Sequence, residues 1–359
     1  MAYTTINKHT AHFNTKLYTG NNGSQSITGV GFQPDMTWIK KRDGAADSSL
    51  MDSVRGVRKS LTTNNAEAEY TETTGLSSWD ADGFSFDGAG FDHVNTSNTF
   101  VSWNWKAGTT GSGSTTGGGT SKTYNYSVNT TAGFSIVTYT GNGNSGHTVP
   151  HHLGTTPNLI IAKETGAADY WRVYNPNLTT NYNLYLNTTH AQDSASDGYL
   201  GTPDATNITF GGSSNTNTVN QDGITYVAYC FAEKTGYSQF GAYKGNGQAD
   251  GAFIYTGFTP SFVMFKRYDG GTENWAMMDS ARSYHNVGNH TLAANSSNGE
   301  SSFGGGESVD GASNKVDIVS NGIKIREASN YNNTDGATYI YIAFGQTIVG
   351  TNNVPATAR

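Results

Sequence analysis

The chain has 359 residues, of which 14% are charged and 12% aromatic, and its formal net charge is -7. Basic residues cluster no further than "KKRD" at 40–43, which excludes the cationic stripe that nucleic-acid binding needs. Cys230 is the only cysteine, so no internal disulfide can form. Every apolar run is far shorter than the ~20 residues of a membrane helix. We therefore predict neither a nucleic-acid partner nor membrane insertion.

The predicted elements are strands. Short apolar runs rich in aromatic residues alternate with clusters of Gly, Asn and Ser along the whole chain. This punctuation is typical of short strands joined by turns, and no segment keeps the 3.6-residue period of a helix. The length exceeds one typical domain of roughly 100–200 residues. We predict an all-β protein with more than one unit.

Landmarks recur three times along the chain in the same order. They are "YTGNNG", "YTGNGN" and "YKGNGQ" at 18–23, 139–144 and 243–248; Gly-x-x-Pro turns at 31–34, 154–157 and 257–260; Lys40, Lys163 and Lys266; "MDSVR", "YNPNL" and "MDSAR" at 51–55, 174–178 and 278–282; and closing strands that end at Trp105, Phe231 and Phe344. The repetition predicts three units, at 13–107, 133–234 and 238–346. Residues 1–12 precede them, a flexible Gly/Ser/Thr-rich linker spans 108–132, and a tail covers 347–359.

The closing strands indicate how each unit folds. Side chains alternate between the two faces of a strand, so Val101, Trp103 and Trp105 share one large apolar face. The equivalent faces of the other units are also apolar. Two antiparallel sheets packed face to face bury such layers within about 100 residues. We predict tandem antiparallel β-sandwiches of lectin or jelly-roll type.

The histidines of "GHTVPHH" are candidate metal ligands. Counted from the proline of each unit, His147, His151 and His152 have no metal-ligating counterparts in either other unit, apart from Asp250. Neighbouring residues of an extended segment point to opposite faces, which separates the imidazoles. These residues are interpreted as the start of a strand, and Cys230 is interpreted as a structural thiol.

The acidic residues offer further alternatives. Asp80, Asp82, Asp87 and Asp92 lie in a Gly-rich stretch that could hold calcium, but the closing Glu of a calcium loop is missing and a β-turn before a strand explains the stretch. The recurring lysines and the recurring Asp52, Asn175 and Asp279 are interpreted as structural cross-strand pairs. No paired carboxylates stand out for glycoside hydrolysis. We assign no catalytic residue, metal or cofactor, and we expect no enzymatic activity.

One tryptophan remains as a binding candidate. Trp38, Trp103, Trp105, Trp171 and Trp275 fall in apolar or repeated positions and are predicted to be core residues. Trp79 alone stands in a polar stretch. With Asp80 and Asp82 it forms the predicted glycan-binding site. In this site the ring stacks on a sugar, and the carboxylates accept hydrogen bonds from the hydroxyl groups of the sugar.

The repeated motifs resemble a known domain. The combination of "YTGN", "GFQPD", "WIKKRDG" and "MDSVRG" with "TAGFSIVTYTGNG", "HHLGTTPNLIIAK", "TYVAYCFAEKTGYSQFGAYKGNG" and "TYIYIAF" is similar to a tandem β-sandwich domain of unknown function. That domain is found in tail fibres and other structural proteins of marine and cyanobacterial phages. The resemblance covers nearly the whole chain and supplies no catalytic residues.

The resemblance implies a virion structural protein on the exterior of the tail or capsid. We expect a tail fibre or tail-associated appendage that adheres to a host-surface glycan or receptor, contacts other virion proteins and forms a homo-oligomer such as a trimer. A capsid-decorating protein is the alternative, since residues 1–12 are short for a fibre anchor. A polysaccharide-degrading enzyme on the same fold is the third possibility.

Overall fold

The computed structural model describes residues 3–89, 93–194, 199–211, 219–283, 286–288, 290–300, 315–328 and 331–349. These residues form a 3-10 helix at His9–Ala11 and antiparallel strands, with no α-helix among them. The prediction of an all-β protein built from tandem β-sandwich units is confirmed. None of the described helical residues form a segment that is long and apolar enough to cross a membrane.

Repeat 1 consists of two sheets, with strand orders β1-β9-β3-β4-β5-β6 and β2-β8-β7. Its strands are β1 Phe13–Thr19, β2 Ser24–Thr28, β3 Met36–Lys41, β4 Ser49–Asp52, β5 Lys59–Thr62, β6 Tyr70–Thr71, β7 Leu76–Asp80, β8 Gly83–Asp87 and β9 Thr99–Trp105.

Repeat 2 also has a large and a small sheet, with orders β10-β12-β13-β21-β15-β16-β17-β18 and β11-β14-β20-β19. Its strands are β10 Thr109–Ser114, β11 Thr116–Gly117, β12 Thr123–Asn129, β13 Phe134–Thr140, β14 His147–Pro150, β15 Leu159–Glu164, β16 Arg172–Tyr174, β17 Tyr182–Tyr185, β18 Asp193–Ser194, β19 Tyr199–Leu200, β20 Asn207–Gly211 and β21 Thr225–Phe231.

Repeat 3 follows the same plan, with orders β22-β29-β24-β25-β26 and β23-β28-β27. Its strands are β22 Ser238–Lys244, β23 Phe253–Tyr255, β24 Phe258–Arg267, β25 Ala276–Asp279, β26 Leu292–Ala293, β27 Val316–Val319, β28 Gly322–Ile325 and β29 Thr338–Thr347.

The segment at 108–132, predicted to be a flexible linker, is instead built into repeat 2. Strands β10 and β12 pair over six residues and add two strands to the large sheet. Gly111 and Gly113 leave room there for the rings of Tyr126 and Tyr124 on the neighbouring strand, whose hydroxyl oxygens would lie 2.6 Å from an added Cβ atom. Tyrosine rings covering glycines stabilise a strand whose composition alone indicates disorder.

Each sandwich encloses a core between its large and small sheets, as predicted. In repeat 1 this core contains Ile27 of β2, Ile39 of β3 and Phe84 of β8, all nearly inaccessible to solvent. Repeats 2 and 3 have corresponding cores. The outer side chains of the closing strands contribute to them, and Cys230 is fully buried there in repeat 2.

The other face of each closing strand is apolar, as predicted, but it faces a core that all three repeats share. Trp105, Phe231 and Phe344 end β9, β21 and β29 and meet at its centre. Their ring centroids form a triangle with sides of 6.3, 5.7 and 5.7 Å. The large sheets therefore surround a pseudo-three-fold axis. A cavity of about 20 Å³ on this axis has a wholly apolar lining and no more room than one water molecule requires.

Three equivalent backbone hydrogen bonds close the ring of repeats. The amides of Glu69, Gln192 and Glu300 donate to the carbonyls of Thr165, Tyr268 and Arg42. These bonds join repeat 1 to 2, repeat 2 to 3 and repeat 3 to 1. The acceptors occupy the same position in each repeat, so the same backbone hydrogen bond recurs at all three junctions.

The predicted cross-strand pairing of the repeat lysines with Asp52, Asn175 and Asp279 is wrong. On the hairpin of repeat 1, Asp52 lies opposite Met36, four residues before Lys40. Lys40 donates to Ser296 O of repeat 3 at 2.5 Å, and Lys266 donates to Thr189 O of repeat 2 at 2.8 Å. Both ammonium groups are buried and form hydrogen bonds across a junction between repeats. Burial lowers the pKa of each to about 7.

The two aspartates are instead bound by arginines three residues later. Arg55 Nε lies 2.5 Å from Asp52 Oδ2, and Arg282 Nε lies 2.6 Å from Asp279 Oδ2. Tyr229 of repeat 2 donates to Asp52 at 2.7 Å, so this buried ion pair of repeat 1 is hydrogen-bonded to the neighbouring repeat across a junction. A short i,i+3 loop therefore places each aspartate where the neighbouring repeat can reach it.

Candidate functional site

A tryptophan fills two of the three junctions between repeats. Trp171 of repeat 2 donates its indole hydrogen to Thr62 O of repeat 1 at 2.9 Å. Trp275 of repeat 3 donates to Tyr185 O of repeat 2, also at 2.9 Å. The equivalent position in repeat 1 is Ser48, a buried residue with a much smaller side chain. The junction of repeats 1 and 3 therefore lacks the indole that occupies the other two.

An open groove lies at this junction, and we call it the junction groove. Its volume is about 580 Å³, within the range of small-molecule sites. The turn between β3 and β4, the segment before β9 and one residue of repeat 3 form its walls. The lining residues are Lys41, Ala45, Ala46, Asp47, His93, Thr96, Asn98 and Ser297.

Asp47 and His93 form the polar centre of the groove. His93 Nε2 lies 3.9 Å from Asp47 Oδ2, and Asn64 Nδ2 donates to Asp47 Oδ1 at 2.6 Å. On the other side of the imidazole, Nδ1 lies 3.1 Å from the Tyr70 hydroxyl. The asparagine and the tyrosine thus fix the carboxylate and the imidazole from behind, while both remain partly exposed to the groove.

Buried polar groups lie on the same face of repeat 1 as Tyr70. Ser49, Ser60 and Glu72 are almost inaccessible, and their side-chain oxygens lack a partner with good hydrogen-bond geometry. Burial raises the pKa of Glu72 to about 7, and Ser60 offsets part of this shift. Burial likewise raises the pKa of Tyr70 to about 12. These buried hydroxyl and carboxyl groups of repeat 1 thus lie beside Tyr70, which contacts His93 of the junction groove.

The groove is built for polar recognition. Lys41 supplies an ammonium group, Thr96, Asn98 and Ser297 supply hydroxyl and amide groups, and Ala45 and Ala46 leave room beside them. Asp47 is the only carboxylate among the described lining residues. The arrangement can hold a small hydrophilic ligand by several hydrogen bonds.

The predicted glycan-binding residues do not converge. Trp79 of β7 lies opposite Phe84, packs against the core of repeat 1 and is half-buried. Asp80 follows it on the opposite face, where Ser78 and Ser85 donate to its carboxylate at 2.7 and 2.5 Å. Glycan binding by Trp79, Asp80 and Asp82 stays a prediction, which the geometry does not favour.

The remaining acidic residues of this stretch have separate partners. Asp82 accepts from the amides of Gly29 and Gly31 at 2.9 and 2.6 Å, and these bonds lower its pKa. Asp87 contacts Arg58. Asp92 lies outside the described residues. Across the described part of the chain, no three His, Cys, Asp or Glu side chains are placed to hold a metal ion.

The histidines of "GHTVPHH" lie at a strand, as predicted. His147 begins β14, and its Nδ1 lies 2.6 Å from Asn220 Oδ1. His151 contacts the carbonyl of Asp204, and His152 stacks on Tyr126 with ring centroids 3.7 Å apart. The three imidazoles thus have three different partners. The five tryptophans predicted to be core residues are buried, and burial raises the pKa of Cys230.

Sequence reasoning missed the junction groove. Its lining residues come from segments far apart in the chain, and none belongs to a recognisable motif. One signal was available: Trp171 and Trp275 recur at matching positions, and repeat 1 has Ser48 there. Where one of three equivalent positions lacks the large side chain, open space is expected at the corresponding junction between repeats.

Comparison with known families identifies the domain. The profile of a domain of unknown function, DUF7483, matches residues 8–347. The chain belongs to the DUF7483 family. No match was found among curated proteins or among solved structures. The DUF7483 match spans all three repeats, in agreement with a core to which each repeat contributes.

Proposed function

We propose that this DUF7483 protein is a virion structural protein, a tail fibre or tail-associated appendage that adheres to glycans on the host surface. The observation that carries the proposal is the junction groove, which is open and polar and lies where repeat 1 meets repeat 3. The sequence resemblance to phage structural proteins supports the virion assignment. Contacts with other virion proteins and assembly into a homo-oligomer belong to the same proposal.

The shape of the domain suits adhesion. The three sandwiches share one core, and the loops that line the groove are attached to the ends of its packed strands β3, β4 and β9. Polar contacts with a sugar are individually weak. Many copies on one particle raise the overall affinity by several orders of magnitude without any new contact.

Binding is favoured over hydrolysis. A glycosidase places two carboxyl groups on either side of the bond that it cleaves, and Asp47 is alone among the described lining residues. Glu72 has the raised pKa of a general acid, but only 2% of its surface is exposed, so a sugar in the groove cannot reach it. A dye-release assay on host polysaccharide tests the enzymatic alternative.

The adhesion proposal is tested on an array of bacterial surface glycans. We expect the chain to bind at least one polysaccharide, and we expect Ala45→Trp, which places a large ring in the groove, to abolish that binding. Asp82→Asn and Trp79→Ala, both on the β7–β8 hairpin, test the glycan-binding residues predicted from sequence. Loss of binding in the hairpin variants alone would move the site away from the groove, and no binding to any glycan would overturn the proposal.

The position on the particle is a separate measurement. Particles labelled with an antibody against this chain are expected to show label at the tail in a few tens of copies or fewer. Hundreds of copies on the capsid would favour the capsid-decorating alternative.

A further inference from the structure

We propose that the junction groove selects acidic glycans and that Lys41 is the residue that recognises their carboxylate or sulfate groups. This inference rests on the proposed function, because it names the ligand class of the same site. It follows from which charges at the junction of repeats 1 and 3 already have partners.

The other cations around the groove have partners. Arg42 Nε lies 2.8 Å from Glu300, and Arg282 binds both Glu300 and Asp279. Asp47 faces the buried Lys40 and lies near His93, and the attraction of Asp47 partly offsets the effect of burial on the pKa of Lys40.

Lys41 is different. Within the described parts of the chain, no carboxylate lies within 4.0 Å of its ammonium group, although it lines the groove and is partly exposed. The nearest carboxylate along the sequence, that of Asp43, accepts the amide of Thr99 at 2.9 Å. Lys41 therefore has no ion-pair partner among the described residues and is available to a ligand in the groove, which the carboxylate of Asp47 also lines.

The equivalent positions in the other repeats lack such a charge. Glu164 follows the lysine of repeat 2 and is itself an acid. Arg267 follows the lysine of repeat 3, but its guanidinium lies 2.9 Å from Asp269 and 3.4 Å from Glu273. Of the three pseudo-equivalent positions, only that of repeat 1 combines a free cation with an open groove.

The rest of the lining fits a sugar acid. Asn98, Thr96 and Ser297 donate and accept hydrogen bonds as hydroxyl groups require, and no aromatic ring other than the imidazole of His93 is among the described lining residues. A neutral sugar would have to bind without stacking, whereas an acidic sugar gains a charge-assisted bond to Lys41. The net charge of -7 repels polyanions in general, so recognition depends on this local cation.

The experiment compares three polysaccharides: alginate oligomers carry carboxylates, dextran sulfate carries sulfates and dextran is neutral. Titration calorimetry with the full chain is expected to show at least one acidic probe binding about 10-fold more tightly than dextran. Lys41→Gln should reduce that affinity about 10-fold, and Lys41→Arg should largely preserve it. The matched control is Lys244→Gln, which removes an exposed lysine of repeat 3. All variants are first compared with the parent chain by thermal melting.

The outcomes separate the two levels of the proposal. An equal loss in Lys41→Gln and Lys244→Gln would show general charge attraction and overturn the inference. Dextran binding that is as tight as alginate binding and unchanged in Lys41→Gln would also overturn it, while adhesion through the groove would stand. Failure to bind these probes and every glycan of the array would overturn the proposed function itself. A difference in affinity between alginate and dextran sulfate identifies the acidic group that is preferred.

Discussion

Trp103 of repeat 1 donates its indole hydrogen to Asp279 of repeat 3 at a distance of 3.0 Å. The guanidinium of Arg282 lies over the same indole, 5.4 Å from its centroid. Tyr229 occupies the position of Trp103 in repeat 2 and makes the corresponding bond to Asp52. The same device, a closing-strand ring bound to an aspartate–arginine pair, thus joins repeat 1 to both of its neighbours.

The first prediction concerns this device. Tyr229→Phe removes the hydroxyl group and keeps the ring, so Asp52 loses one buried donor while Arg55 remains. We expect the free energy of unfolding to fall by about 1–3 kcal/mol, the usual cost of an unmade buried hydrogen bond to a charged group. Chemical denaturation measures it. Tyr170→Phe, at a residue that is 44% exposed, is the control, and an equal loss there would contradict the assignment.

The junction of repeats 2 and 3 lacks the device and supports a second prediction. Asn175, Leu178 and Ile342 replace the aspartate, the arginine and the ring, and the last two belong to the shared core. Asn175→Asp creates a buried carboxylate with no cation, and we expect a loss of roughly 3–5 kcal/mol. Combining it with Leu178→Arg and Ile342→Tyr should recover most of the loss. A triple variant less stable than Asn175→Asp would show that the three junctions are not equivalent.

Glu72 gives a third prediction, on acid stability. Its pKa is about 7 in the folded protein and 4.5 ordinarily, so between pH 4.5 and 7 the folded state holds a proton that the unfolded chain has released. The free energy of unfolding therefore falls as pH rises through this window. Glu72→Gln removes the dependence, and we expect it to stabilise the protein at pH 8 by about 2–3 kcal/mol while changing little at pH 4.

Denaturation across this pH range checks the effect of Glu72. Glu67→Gln, at an exposed residue of the same repeat, should leave the pH dependence unaltered. A slope that survives in Glu72→Gln would mean that another group releases the proton.

The buried lysines give a fourth prediction, on alkaline stability. Lys40 and Lys266 have pKa values of about 7 in the folded protein against 10.5 ordinarily, so above pH 7 the unfolded chain binds more protons. The free energy of unfolding therefore rises with pH from about 7 to 10. Lys40→Met should reduce this rise by about 1–2 kcal/mol between pH 7 and 9.

The double variant Lys40→Met/Lys266→Met is expected to reduce the rise further, and the exposed Lys244→Met serves as control. Glu72 and these lysines contribute opposite slopes, which meet near pH 7. A rise between pH 7 and 9 that is the same in the parent chain and in the double variant would contradict the assignment to the lysines.

The sequence predicted the faces of the closing strands correctly, because alternation is a local property of a strand. It did not predict what those faces meet. A layer of Val101, Trp103 and Trp105 is equally compatible with a separate sandwich and with a core that three repeats share, since only long-range contacts distinguish the two. The pairing of Lys40 and Lys266 was predicted wrongly for the same reason, because their acceptors Ser296 O and Thr189 O belong to other repeats. Lys163 donates instead to Glu164 O and Ala167 O of its own repeat.

The linker was predicted wrongly and the junction groove was not predicted, each for a different reason. Gly and Ser at 108–132 indicate flexibility on composition, and the stabilising rings of Tyr124 and Tyr126 become visible only when the pairing of β10 with β12 is known. In the junction groove, Asp47 and His93 are distant in sequence. Counting from the prolines also shifts the alignment, because Ile27, Val149 and Ile254 are the equivalent core residues although they precede their prolines by different distances.

His9 and Gln346 are hydrogen-bonded to each other, with 2.9 Å between Nδ1 and Oε1, although 337 residues separate them. The backbone therefore runs once around the axis and ends beside the point where it began. The contacts between the repeats do not depend on which repeat comes first in the sequence. A rearranged gene that joins these two positions by a short bridge and begins with repeat 2 or repeat 3 would encode the same set of contacts. Such a circular permutant should fold. The difference between its melting temperature and that of the parent chain would measure how much the stability depends on where the closed ring of repeats is opened.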